Sequence, residues 1–259
     1  MAYEFFAIER HDDTATLWMN RPEKRNAMTS TMLRRLVEVF ESLSAEPDVR
    51  VVVIRGAGTS FCAGLDLREM EEARAAAGTV ALTDIQDVFR ALEEVAQPTI
   101  AMVQGEAIAG GCELALHCDL RVAADDVRFA MPLARLGLVL PFPLVQKLLD
   151  SIGTAATKEI LFTGEFFAAD RAVALHMVNR LVPLAELEAT AYRLAETIAT
   201  NAPLAVRAMK RMVQRGNRFR EAIEHDDLDR EVERIARSED VKEGVRAMRE
   251  KRPPRFKGE

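Results

Sequence analysis

Cysteine and histidine are scarce in this chain. Its 259 residues hold three cysteines, Cys62, Cys112 and Cys118, and four histidines, His11, His117, His176 and His225. An odd cysteine count without paired spacing argues against a disulfide framework. The histidines lie too far apart for a zinc motif, so no metal is expected. The sequence also lacks a basic leader followed by an apolar run, and no apolar stretch approaches the roughly 20 residues needed to cross a bilayer. Positive charge is in deficit: 35 Lys and Arg against 41 Asp and Glu leave a net charge of −6. That balance speaks against gripping nucleic acid or an anionic membrane through the overall field. What remains is 49% hydrophobic and 29% charged, an ordinary globular composition long enough for one large core or two modest ones. A cytoplasmic protein is expected, with neither nucleic acid nor membrane among its partners.

Thr14 to Met19 mixes polar and apolar residues in a β-branched, aromatic setting that suits a strand, and Arg50 to Arg55 is a short β-branched run bounded by Gly56. Between them Met32, Leu33, Leu36, Val37, Phe40 and Leu43 recur at helical spacing behind a capping cluster, Thr29, Ser30 and Thr31. The alternation continues with a helix over Ile85 to Leu92, a buried strand over Thr99 to Val103, a helix through Leu114 to Cys118 and a strand over Leu120 to Ala124. An α/β architecture follows. From about Leu184 strand signals fade, and helices are expected over Glu186 to Thr200, Pro203 to Arg215, Phe219 to Ser238 and Val241 to Lys251. Val241, Val245 and Met248 form a stripe for packing on the same chain or a neighbouring subunit. The reading divides the chain into an α/β core, residues 1–195, and a C-terminal helical region, residues 196–259.

Two loops carry the chemistry. In the first, Ser60 to Leu67, Gly64 follows small residues after a strand. A glycine turn opening a helix leaves unpaired N–H groups that can face an anion or a developing oxyanion. In the second, Gly105 to Glu113, the pair Gly110 and Gly111 lets backbone approach a ligand and starts a helix. Gly110 can then present its N–H while Glu113 projects from the first helical turn beside the same opening. Chemistry next to a thioester carbonyl needs such a pair: preorganised donors for the enolate oxygen and a carboxyl to move a proton.

At these loops the sequence resembles the enoyl-CoA hydratase/isomerase, or crotonase, superfamily. The segments are Asn20 to Met28, Phe61 to Asp66 and Gly105 to Asp119, with further likeness at Thr163-Gly164, Asp170 to Ala172, Val178 to Val182 and Ser238 to Gly244. The resemblance implies a spiral of ββα units with C-terminal helices that assemble homotrimers, often paired into hexamers. It also implies an acyl-CoA substrate and a place in fatty acid metabolism, with no cofactor beyond the coenzyme A that the substrate carries. Position by position, it implies oxyanion donors at the backbone N–H groups of Leu65 and Gly110, and proton transfer by Glu113. The resemblance further implies that Arg25 stands near the CoA moiety and that the backbone around Ala63 cradles adenine or pantetheine, with Arg68 and Lys257 as further phosphate candidates.

The sequence departs from the family at one carboxylate. Hydratases of the family use a second glutamate after a proline, and here Leu133 follows Pro132. Leu140 to Leu144, including Phe142, replaces a stretch that is usually glycine-rich, which implies an apolar acyl pocket. Leucine moves no proton, so two-carboxylate hydration is in question. Three functions stand open: a hydratase/isomerase-type enzyme, a malonyl-type acyl-CoA decarboxylase using the same oxyanion site, and a non-catalytic CoA-ester binding protein. Glu106 and Glu165 could replace the missing carboxylate, although each reads as a solvated loop residue. Asp66 reads as a helix cap and His117 as a hydrogen-bonded core histidine, while the cysteines near the site read as small apolar residues.

Overall fold

The computed structural model describes residues 2–3, 5–77, 83–217 and 223–258. Among them a seven-stranded sheet runs in the order β1 (Ala2–Tyr3), β2 (Phe6–His11), β3 (Thr14–Met19), β4 (Val51–Gly56), β5 (Thr99–Val103), β7 (Leu120–Ala124) and β10 (Arg180–Val182). β1 to β3 pair antiparallel, and every pair from β3 to β10 is parallel. A second sheet of three short strands, β6 (Glu106–Ile108), β8 (Arg128–Ala130) and β9 (Phe167–Ala168), lies beside it.

The central strands are buried on both faces, which is why they read as continuous apolar runs. Along β4 the side chains alternate. Val52 and Ile54 enter one core with α1 (Ser30–Ala45), α3 (Thr83–Glu94) and α4 (Gly110–His117). Val51 and Val53 enter another against Leu187, Ala191 and Leu194 of α7 (Leu184–Ala199). Thr29 caps α1 by accepting the N–H of Met32.

The expected helix over residues 85–92 falls within α3, and the one over 186–200 is α7, which starts at Leu184 and ends at Ala199 with Thr200 as its C-cap. The one expected over 203–215 is α8 (Pro203–Asn217), and the last is α10 (Glu239–Arg249), capped by Ser238. The helix expected over 219–238 is shorter, α9 (Asp226–Ala236), and the start of that expectation lies outside the described residues. The helix expected after the Gly64 turn, with Asp66 as its cap, is α2 (Leu67–Ala77), whereas α5 (Phe142–Thr163) and α6 (Ala169–Ala174) were not anticipated. The division expected at 195/196 falls inside α7, whose Ala195 and Ala199 share one packed face. Mixed α/β structure is thus followed by a helical C-terminal region, and α10 returns to the α/β part. Val241 packs with Leu136 and Leu138. Gly244 approaches so closely that a Cβ would lie 2.5 Å from the Leu136 carbonyl carbon.

Candidate active site

Both glycine loops leave the C-terminal ends of adjacent parallel strands, β4 and β5, and run side by side. The Cys62 N–H donates to Glu106 O at 3.1 Å, and the Ile108 N–H donates to Cys62 O at 3.0 Å. Glycine permits this approach. Gly64 has φ +88°, and a Cβ there would lie 2.8 Å from Ile108 O and 3.1 Å from the Gly110 nitrogen. A Cβ on Gly111 would lie 2.0 Å from Cys62 O. Asn26, fully buried, ties the first loop from below by donating to Ser60 O at 2.7 Å and Ala57 O at 2.9 Å.

The aim of the two N–H groups follows from their neighbours. Met28 donates its N–H to Gly64 O, and the Asp66 N–H donates to Met28 O. Leu65, between them, therefore turns its N–H to the opposite side. Gly110 is the first residue of α4, so its N–H has no intrahelical acceptor. Ala109 before it holds a strained φ of +48° and ψ of −115°, which redirects the chain from β6 into the helix. Among the described residues neither the Leu65 nor the Gly110 N–H has a hydrogen-bond acceptor.

Both residues, with Glu113, line one cavity of about 590 Å³. The Glu113 side chain is 0% exposed, and neither carboxyl oxygen has a hydrogen-bond partner. Burial, opposed by Lys147 and reinforced by Glu93, pushes its pKa up to about 8. At neutral pH it is mainly the uncharged acid, with an accessible carboxylate form. The Nδ1–H of His117 donates to the Glu113 carbonyl at 2.8 Å, and burial pushes that imidazole down to about 4. The contact between Nδ1 and Glu113 Oε2, 3.6 Å, joins two groups that are neutral at pH 7 and is not an ion pair. Burial pushes the Cys62 and Cys118 thiols up to about 12 and Cys112 well above its usual range, so none is a ready nucleophile.

The structure separates the remaining expected residues. Arg25 and Ala63 line the same cavity, as do Leu133 and Leu140. Arg25 pairs with Glu106 at 2.8 Å, and the Ala63 N–H is spent on Arg25 O. Arg68 is exposed on α2, 3.8 Å from Glu72, and lies outside the cavity wall. Lys257 also lies outside it, with its N–H donated to Asp240. Phe142, on the first turn of α5, faces away from the cavity toward His225, at 5.1 Å between ring centroids. Helical rotation instead brings Leu144 to the cavity.

Neither candidate for a second carboxylate reaches the cavity wall. Glu106 is not a solvated loop residue: it belongs to β6 and pairs with both Arg25 and Arg128. Glu165 is exposed in a loop. Asp66 lines the mouth, but it accepts the Arg68 N–H as a cap and pairs with Arg21 at 3.2 Å.

Sequence reasoning missed several wall residues. Lys24, Arg135 and Arg252 add positive charge, while Gly244, Met248 and Pro254 bring the C-terminal segment onto the cavity. An isolated arginine carries no local sequence signal that separates a cavity rim from open surface. Asn26 was detectable in principle, as an uncharged polar residue inside the segment from Asn20 to Met28.

A comparison with protein families matches residues 9–259 to the enoyl-CoA hydratase/isomerase model. A short-chain-enoyl-CoA hydratase of Clostridium acetobutylicum is 36% identical over 210 residues, covering 81% of this chain and 80% of that protein. A crotonyl-CoA hydratase of Syntrophomonas wolfei is 33% identical over 99% of both. Among solved structures, a methylmalonyl-CoA decarboxylase in complex with 2-nitronate-propionyl-CoA superposes with a TM-score of 0.89 at 28% identity, covering 100% of both chains. The crotonase fold, the two adjoining glycine loops and the match along nearly the whole length place this chain in the enoyl-CoA hydratase/isomerase family.

Proposed function

We propose that this enzyme forms the enolate of an acyl-CoA thioester between the N–H groups of Leu65 and Gly110, and that Glu113 alone moves the proton. The observation that carries the reading is the unpartnered buried carboxyl of Glu113 in one cavity with two unengaged backbone donors. With Leu133 in the wall in place of a second acid, the best fit is proton movement along the acyl chain, as in double-bond isomerisation. As a carboxylate, Glu113 takes a proton from the carbon next to the thioester, the electrons pass to the carbonyl oxygen, and the two N–H groups hold the resulting charge. The same carboxyl then returns the proton to carbon. Donors of this kind stabilise a transition state by roughly 3–4 kcal/mol each, and the carboxyl contributes roughly 10²–10⁴-fold.

The apolar wall of Ile85, Leu133, Leu138, Leu140 and Leu144 suits a hydrocarbon acyl group, as in fatty acid metabolism. Lys24, Arg25, Arg135 and Arg252 supply charge for the phosphates of CoA. The reaction calls for no resident metal or cofactor. A homotrimer or hexamer is part of the proposal, supported by the exposed Leu204, Met209, Met212 and Val213 of α8. So is a cytoplasmic site of action without nucleic-acid or membrane partners; no described helix is long and apolar enough to cross a membrane.

Decarboxylation is the second reading, favoured by the likeness to the decarboxylase structure and by Leu133 in the cavity wall, where hydratases of the family carry a second glutamate. There the enolate forms by loss of CO₂, and the neutral acid form of Glu113 protonates it. Purified protein incubated with 2-enoyl-, 3-enoyl- and malonyl-type CoA esters separates the readings. Double-bond movement that Glu113→Gln abolishes is expected; CO₂ release selects the second reading. Tight binding of every ester with no turnover identifies a non-catalytic binder and overturns both.

A further inference from the structure

α4 brings Glu113 and His117 onto one face, one helical turn apart. The imidazole is wedged between the Glu113 carboxyl and a second cavity of about 640 Å³ behind the helix. It stacks on Phe89, with ring centroids 4.5 Å apart and planes at 14°. A single nitrogen, Nδ1, is placed 2.8 Å from the Glu113 carbonyl oxygen and 3.6 Å from Oε2 of the same residue. That carbonyl is already the natural acceptor for the helix backbone, through the N–H four residues on, so it does not depend on the His117 side chain. The carboxyl has no hydrogen-bond partner.

We propose that His117 is a positioning residue that holds its Nδ1–H in reserve for Glu113, resting it on the carbonyl while the carboxyl is neutral and turning it to Oε2 when the carboxyl ionises. The role rests on the proton-transfer reading given above and makes His117 act through Glu113, without touching substrate. A hydrogen bond to an ionised acceptor is roughly twice as strong as a neutral one, so a donor that shifts by less than an ångström favours the carboxylate selectively. Burial keeps the imidazole uncharged across the working pH range, which leaves Nδ1–H as a donor that itself carries no charge.

The charged surroundings are accounted for on each side. α3 contributes Arg90, Glu93 and Glu94, α5 contributes Lys147 and Asp150, and His176 follows α6. Glu93 and Lys147 pair at 2.6 Å and largely offset one another. Asp119 and Arg121 follow α4, Asp119 being paired with Lys210 of α8, and His225 precedes α9. None of these offers Glu113 a hydrogen bond.

The test is a titration of the Glu113 carboxyl by ¹³C NMR in protein labelled at the glutamate side-chain carboxyls, with Glu113→Gln to assign the signal. His117→Phe keeps a ring against Phe89 and removes the donor; the Glu113 midpoint is expected to rise by about one pH unit, a tenfold change in ionisation constant. His117→Gln restores an N–H and is expected to bring the midpoint back toward that of the unaltered protein. If the Phe variant does not fold, His117→Met replaces it as the donor-free form. An unmoved midpoint in a folded donor-free variant overturns the proposal, as does a midpoint that rises equally with Gln. In parallel, α-proton exchange of butyryl-CoA in D₂O is expected to follow the same midpoint. Absence of that exchange in unaltered protein, with the NMR midpoints moving as described, refutes the proposed function and leaves the His117–Glu113 coupling intact.

Discussion

Glu113→Gln is expected to change how stability depends on pH. The carboxyl moves from an ordinary 4.5 in the unfolded chain to about 8 in the native cavity. Below pH 4.5 it is protonated in both states and has no pH-linked effect. Between 4.5 and 8 the unfolded state has released its proton while the native state retains it. The native state then binds more protons, and stability falls as pH rises. Each pH unit across that window costs about 1.4 kcal/mol, so the whole interval from 4.5 to about 8 amounts to roughly 5 kcal/mol. Glutamine is neutral throughout and lacks this dependence. Urea denaturation at one fixed protein concentration, run at pH 5, 7 and 9, isolates the effect as the difference between the two proteins. Relative to the glutamine variant, the unaltered protein should lose roughly 4 kcal/mol between pH 5 and 9. Parallel stability profiles for the two proteins would refute the claim that burial raises the Glu113 carboxyl to about 8 in the native state.

Leu133→Glu places a second carboxyl in the cavity wall and is expected to raise 2-enoyl-CoA hydration by at least about tenfold, a lower bound set beneath the roughly 10²–10⁴-fold that a fully positioned acid or base supplies. A correctly folded variant with no gain counts against Leu133 as the lost proton-transfer position. Gly64→Ala introduces a Cβ 2.8 Å from Ile108 O and 3.1 Å from the Gly110 nitrogen at φ +88°. It should cost about 1–3 kcal/mol of stability and lower turnover by a factor on the order of 10² or more, because it parts the two donors. Unchanged turnover by steady-state assay would show that their spacing is not critical. Leu140→Asp should weaken hexanoyl-CoA binding, measured by calorimetry, more than binding of CoA itself. Equal losses would place the acyl chain elsewhere.

Strands β3, β5 and β7 were legible to the residue, and β4 to within one residue, because burial within the sheet fills them mainly with apolar and β-branched residues, most plainly in the Val51–Ile54 run of β4. β6, β8 and β10 were not, since three residues are too few for a period to emerge. α5 was hidden by its own ends and middle. Pro143 reads as a helix breaker, yet it stands in the first turn, where no N–H is required. Gly153 then interrupts the helix at φ +74°. At the site, the glycine loops and Glu113 were legible because sequence neighbours build them. Arg135, Arg252 and Met248 were not, because the fold brings them to the cavity from segments far apart in sequence. Phe142 illustrates the reverse error: adjacency to Leu140 in sequence did not survive the rotation of the first helical turn, which sends its ring to His225.

The most direct measurement is a crystal structure with a non-hydrolysable acyl-CoA analogue. Its carbonyl oxygen is predicted to lie about 2.7–3.1 Å from the nitrogens of both Leu65 and Gly110, with the α-carbon facing Glu113. A carbonyl seated away from these two nitrogens would contradict the account.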